Sequence, residues 1–120
     1  MHELVRDWRV PLVLFSEGEG LPHPSHLGSG VGVDASLFTD FAQLSGLVPL
    51  VGVNTGNSFG GNAALLACCD VIISTEQSAV GMTGPTVVAA SGLGQHSAAD
   101  LGGTASQFES GSVDLSLIHI

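Results

Sequence analysis

Basic residues are nearly absent from this chain. Its 120 residues include two, Arg6 and Arg9, against 11 acidic ones, for a formal net charge of −9. Such a charge repels nucleic acid and anionic membrane surfaces, so neither is expected as a partner. Cysteine is scarce as well. The two present, Cys68 and Cys69, are adjacent inside an apolar run, which excludes a disulfide framework and suits a reduced, cytoplasmic core. No apolar run approaches the roughly 18 residues of a membrane span, and no signal peptide is read at the start. Charged residues make up 11% of the chain and hydrophobic residues 44%, the composition of a core with little surface. A chain of this length buries only about 60–70% of its unfolded surface. Further segments or an oligomeric partner are therefore expected to complete it.

What is present concentrates in residues 47–73, LVPLVGVNTGNSFGGNAALLACCDVII. The β-branched run Val48–Val53 predicts a strand, and the Gly/Asn/Ser stretch after it a tight turn. Gly60-Gly61 then opens an Ala/Leu helix over Asn62–Cys69, followed by a second strand, Val71–Ser74. Amides in the first turn of a helix have no partner within it, so they are able to hold a developing oxyanion. Glycine at 60 and 61 lets a ligand oxygen come close to the main chain.

Elsewhere, Met1–Trp8 predicts a helix end with Leu4, Val5 and Trp8 on one face, and Val10–Phe15 a strand. Glu17–Gly32 reads as a loop. Asp34 suits the N-cap of a helix through Ser45, ended by a left-handed Gly46. Ser78–Met82 predicts a short strand, and Thr83-Gly84-Pro85 a helix start with proline in its first turn. Ser91–Ser112, rich in Gly and Ser, carries little local signal. Strand–helix alternation predicts an α/β fold with parallel strands and right-handed crossovers. No internal repeat and no linker is visible.

Several stretches carry a resemblance: LVLFSEGEG (12–20), FAQLSGLVPLVGV (41–53), GGNAALLACCDVII (60–73), VGMTGP (80–85) and SGSVD (110–114). In this order they resemble the N-terminal half of the carboxyltransferase subunits of biotin-dependent acyl-CoA carboxylases, within the crotonase/Clp superfamily. The resemblance implies an incomplete crotonase-like ββα superhelix over residues 1–114. It implies carboxyl transfer from carboxybiotin to an acyl-CoA of the acetyl- or propionyl-CoA type. The substrate is then a coenzyme A thioester. Biotin rides on a carrier domain, not on this chain, and the partners are biotin carboxyl carrier and biotin carboxylase components within a homo-oligomer. The isolated chain is expected to be inactive. The implied catalytic set is Gly18, Glu19 and Gly61; substrate-binding positions are Gly20, Gly60, Asn62, Thr83, Gly84 and Pro85. Close relatives carry a glycine run followed by arginine where this chain reads Glu17-Gly18-Glu19-Gly20-Leu21. Glu19 thus puts a carboxylate near the implied enolate. Family likeness stops at Asp114. LSLIHI (115–120) reads as the translation of a transposase adapter end and is set aside as a tail.

Other chemistries have their own signals. Enoyl-CoA hydratases use two glutamates at positions that hold Ala64 and Gly84 here, so hydration lacks its proton carriers. Gly56-Asn57-Ser58-Phe59-Gly60 fits G-x-S-x-G, with Asp70 or Asp100 and His96 as partners for a serine hydrolase. His23 and His26 with Glu17 and Glu19 read as solvated loop residues, and no metal site is expected. Cys68 and Cys69 have no neighbouring base to activate a thiol and read as core. A crotonase-fold assembly module without catalysis is the remaining alternative.

Overall fold

The computed structural model describes residues 2–18 and 35–117. Glu19, Gly20, His23, His26 and Asp34 lie outside the described residues, as do residues 118–120. The chain begins with α1 (His2–Trp8), β1 (Leu12–Gly18) and α2 (Ala35–Ala42). Then come β2 (Leu50–Phe59), α3 (Gly61–Leu66), β3 (Val71–Ser74) and β4 (Ala79–Gly81). Helices α4 (Pro85–Ala90), α5 (Ala98–Gly102) and α6 (Thr104–Glu109) lead to β5 (Leu115–Ser116). Among the described residues the sheet has five strands in the order β1-β2-β3-β5, with β4 paired to β2 off that path. Every strand pair is parallel, as the strand–helix alternation predicts.

β2 organises the molecule. Its first half lies between β1 and β3, with Val51 opposite Val13 and Val71. Its second half turns to β4, where Asn57, Ser58 and Phe59 oppose Ala79, Val80 and Gly81. The predicted tight turn after Val53 is therefore strand. The turn preference of Gly, Asn and Ser is overridden because Asn54 pairs with β1 and β3, and Asn57–Phe59 pair with β4, with Ser58 also opposite Gly18. The Glu17 side chain also packs directly over Gly56, its Cδ 2.8 Å from where a Cβ would stand.

Two aspartates repeat one device at the start of successive strands. The Asp70 amide donates to the Leu50 carbonyl (2.8 Å), and its carboxylate accepts from the Leu50 amide (2.8 Å). Asp114 does the same with Ile72, at 3.0 and 2.7 Å. Each closes one parallel pairing before the ladder begins. The main core gathers Val5, Phe41, Leu44, Val48 and Leu50, with Leu12, Leu14, Leu65, Cys68 and Cys69 packed against it. Leu66, Ile72 and Val113 form a second cluster.

Several expectations shift. Of the predicted α1 face only Val5 is buried; Leu4 and Trp8 are exposed. The α3 helix begins at Gly61 and stops at Leu66, short of Cys69. Ser91–Ser112 is more ordered than its composition suggests, because Ser97 and Asp100 form a reciprocal capping box that starts α5. β5 draws its two residues from the LSLIHI string. Gly46 is left-handed (φ 75°) as expected, and Gly84 caps α4 with Pro85 in its first turn.

Candidate functional site

The site is built where β1 ends, β2 ends and α3 begins. β1 finishes at Gly18, whose φ of 121° is open only to glycine. Gly60, at φ 62° and ψ −125°, turns the chain from β2 into α3. Its amide donates to the Gly81 carbonyl at 3.1 Å, so β4 pins the turn from the other side. The first helical bond of α3 runs from the Ala64 amide to the Gly60 carbonyl (3.0 Å). No side chain among the described residues caps α3, and the Gly61 amide stands in a first turn without an intrahelical acceptor.

Asn62 ties these two backbone elements together. Its side-chain amide donates to the carbonyls of Glu17 (3.1 Å) and Gly18 (3.3 Å). Ser16 Oγ and Ser58 Oγ share a buried hydrogen bond of 2.6 Å, and Ser16 Oγ also reaches the Asn62 carbonyl at 3.4 Å. A cleft of about 60 Å³ opens beside them, lined by Leu14, Phe15, Ser16, Glu17, Asn62 and Leu65. Thr83–Pro85 follows β4 and so runs beside the Gly60 turn. Gly84 is buried with its α-carbon face against the Phe59 ring, 3.4 Å from a would-be Cβ, while Thr83 is exposed.

Of the residues named from the sequence, Gly18, Gly60, Gly61 and Asn62 come together at one place, and the Thr83–Pro85 segment adjoins them through Gly81. Glu19 and Gly20 lie outside the described residues. The serine-hydrolase constellation is not assembled. Ser58 is buried and bonded to Ser16. Asp70 serves the Leu50 amide, Asp100 accepts from Ser97, and His96 is exposed with Nε2 at 3.2 Å from the Leu93 carbonyl. The cysteines are half-buried against the core rather than inside it. Burial pushes the Cys69 thiol up to about 11, with Cys68 and Asp70 adding to the effect, the opposite of an activated nucleophile. Among the described residues no group of His, Cys, Asp or Glu is placed to hold a metal ion.

Sequence reading missed a polar row across the sheet. Ser16, Asn54, Ser74 and Ser116 stand in register on four strands, and all are buried. Asn54 Nδ2 donates to the Ala79 carbonyl at 3.3 Å, tying the two halves of the β2 neighbourhood. The available signal was a polar residue at an inward position of an apolar alternation: Leu12, Leu14, Ser16 and Leu50, Gly52, Asn54.

Comparison with known proteins gives these features a context. The carboxyl transferase domain matches residues 8–117. No curated protein matches the chain. A single-chain, multi-domain long-chain acyl-CoA carboxylase is 42% identical, with a TM-score of 0.84 over 96% of this chain and 11% of its own. Transcarboxylase 12S is 25% identical (TM-score 0.77), the match covering 96% of this chain and 23% of that one. The β subunit of P. aeruginosa geranyl-CoA carboxylase shares the fold at 19% identity (TM-score 0.78), with 96% and 22% covered. This chain thus spans between about a tenth and a quarter of the length of these structures. With residues 8–117 matched and the crotonase-like parallel α/β fold in place, the chain belongs to the carboxyl transferase domain family.

Proposed function

We propose that the protein containing this segment transfers a carboxyl group from carboxybiotin to an acyl-CoA of the acetyl- or propionyl-CoA type. The tie that Asn62 makes between the end of β1 and the start of α3 carries this reading. It holds two glycine-rich backbone elements together in a chain whose family moves carboxyl groups. The thioester oxygen is held between the Gly18 end of β1 and the Gly61 amide. Backbone donors there stabilise the charge that collects on that oxygen as the α-proton leaves, each worth about 2.7–4 kcal/mol. Gly60, Thr83, Gly84 and Pro85 form the nearby walls.

Carboxybiotin, when bound, supplies the carboxyl group and the base. The cleft beside Asn62, about 60 Å³, is too small for the biotin ring system. On this reading the chain supplies the oxyanion contacts, and the rest of the protein supplies the biotin pocket. Biotin carboxyl carrier and biotin carboxylase components are the partners, in a cytoplasmic homo-oligomer. The absence of Glu at Ala64 and Gly84 is consistent with this chemistry, since carboxyl transfer takes its base from the donor. Glu19 within the glycine run, and the lack of an arginine after it, favour a second reading, an assembly module without catalysis.

The test is incorporation of labelled bicarbonate into acid-stable acyl-CoA product by the full protein with its carrier and carboxylase components. Gly61→Pro deletes one amide hydrogen at a helix position that tolerates proline. It is expected to lower kcat by about 10²–10³-fold. Gly61→Ala keeps the hydrogen, and its Cβ asks the Phe38 ring, 3.1 Å away, to give slightly, so it should lose far less. No transfer by the unaltered protein would leave the assembly module standing. An undiminished Gly61→Pro variant would remove Gly61 from the chemistry.

A further inference from the structure

We infer that Asn62 is a positioning residue whose side chain sets the span between the Gly18 end of β1 and the Gly61 amide, backed by the Ser16–Ser58 hydroxyl pair. This rests on the carboxyl-transfer reading, and it reassigns Asn62 from substrate contact to scaffold. β1 loses its regular register with β2 after Ser16, where the ladder shifts so that Gly18 opposes Ser58. The last residues of this edge strand need another anchor. The Asn62 amide group provides it, spending its two hydrogens on the Glu17 and Gly18 carbonyls. Little donor capacity remains for a substrate. Gly18 makes the approach feasible, because a Cβ there would stand 3.0 Å from Asn62 Nδ2.

The hydroxyls below complete the tie. Ser16 has one proton and two close oxygens, Ser58 Oγ at 2.6 Å and the Asn62 carbonyl at 3.4 Å. Both contacts are satisfied when Ser58 donates to Ser16 and Ser16 donates to Asn62. β2, β1 and α3 are then joined by one chain of hydrogen bonds. The serine of the G-x-S-x-G stretch thereby has a role: its proton is committed to the scaffold.

Asn62→Asp is the discriminating variant. It is isosteric, but it turns an oxygen acceptor toward two carbonyls. In the full chain, amide hydrogen exchange at Glu17 and Gly18 is expected to quicken by about tenfold or more, with Val13 unchanged. In the full protein with its partners, kcat should fall with the KM for acyl-CoA nearly constant, because a misplaced donor weakens the transition state more than the ground state. Asn62→Gln, which keeps both hydrogens, should recover part of each effect. Exchange and kcat that are both unmoved in Asn62→Asp would overturn the inference. So would a raised KM at constant kcat, which marks a substrate contact. If the unaltered protein transfers no carboxyl group, the functional reading fails, and the exchange result still decides whether Asn62 holds the end of β1.

Discussion

Ser16 and Ser74 flank Asn54 in the same buried row of the sheet, yet their hydroxyls are in opposite positions energetically. Ser16 Oγ bonds Ser58 and reaches Asn62, whereas Ser74 Oγ and Asn54 Oδ1 have no partner among the described residues. A buried polar group without a partner pays its desolvation with no return. Ser74→Ala is therefore expected to change stability by less than about 0.5 kcal/mol or to raise it, while Ser16→Ala costs about 1–2 kcal/mol. Urea denaturation of the two variants side by side checks the contrast; equal losses would mean that Ser74 has a partner after all. Cys69 gives a second residue-scale expectation. With its thiol pushed up to about 11 by burial, the protonated form persists through neutral pH. Its alkylation by iodoacetamide should stay slow at pH 8 and climb toward pH 11. Fast labelling of Cys69 at pH 8, read by peptide mass spectrometry, would contradict the burial that shifts it.

Among the elements, α5 has a pH-dependent start. Hydrogen bonds from the Ser97 hydroxyl and amide hold the Asp100 carboxyl below its ordinary value of 3.8. A depressed carboxyl supports the folded cap above the ordinary value and loses that support as pH falls through the lowered one. The Ser97 amide resonance is expected to titrate with a midpoint under 3.8, and a midpoint at or above it would mean that the box is not formed. The same box shows what was legible. Ser97 and Asp100 carry the S-x-x-D spacing of a capping signal, but the Gly/Ser background concealed it. β3 was readable to the residue because a short β-branched run follows Asp70 directly. The second half of β2 was not readable, since Thr55–Ser58 has turn composition and becomes strand only once β4 and β1 are in place. The glycine pair at 60 and 61 was visible as a turn into a helix, whereas the contacts of Ser16 and Asn62 depend on parallel register, which no local pattern encodes. The Asp70 and Asp114 devices are likewise long-range: each joins an aspartate to a strand start many residues earlier.

At the scale of the whole molecule, one face of the sheet is left bare by the described residues. Register lines up Val13, Val51 and Val71 in one row and Phe15, Val53, Ile73 and Leu115 in the next. These rows alternate with the inward positions that pack on the helices. Phe15 is 73% exposed, Val13 51% and Leu115 46%, and none of the seven side chains in these rows is charged. The molecule measures 18 Å in its shortest dimension, room for one sheet and one helix layer. A two-layer slab whose apolar sheet face is uncovered among the described residues fits a chain that spans about a tenth to a quarter of its structural relatives. In a solution of this chain alone, the apolar surface on offer is that of another copy, and contiguous patches of this kind drive association. Self-association that grows with concentration is therefore expected in sedimentation velocity, together with binding of a hydrophobic dye. Placing lysine at Val13 and Phe15 should weaken both, because charge on an edge strand opposes pairing and the face loses its most exposed side chains. Both positions point away from the core, so the melting temperature should change little. A monomer at all concentrations, with no dye bound, would mean that the face is covered within the chain itself.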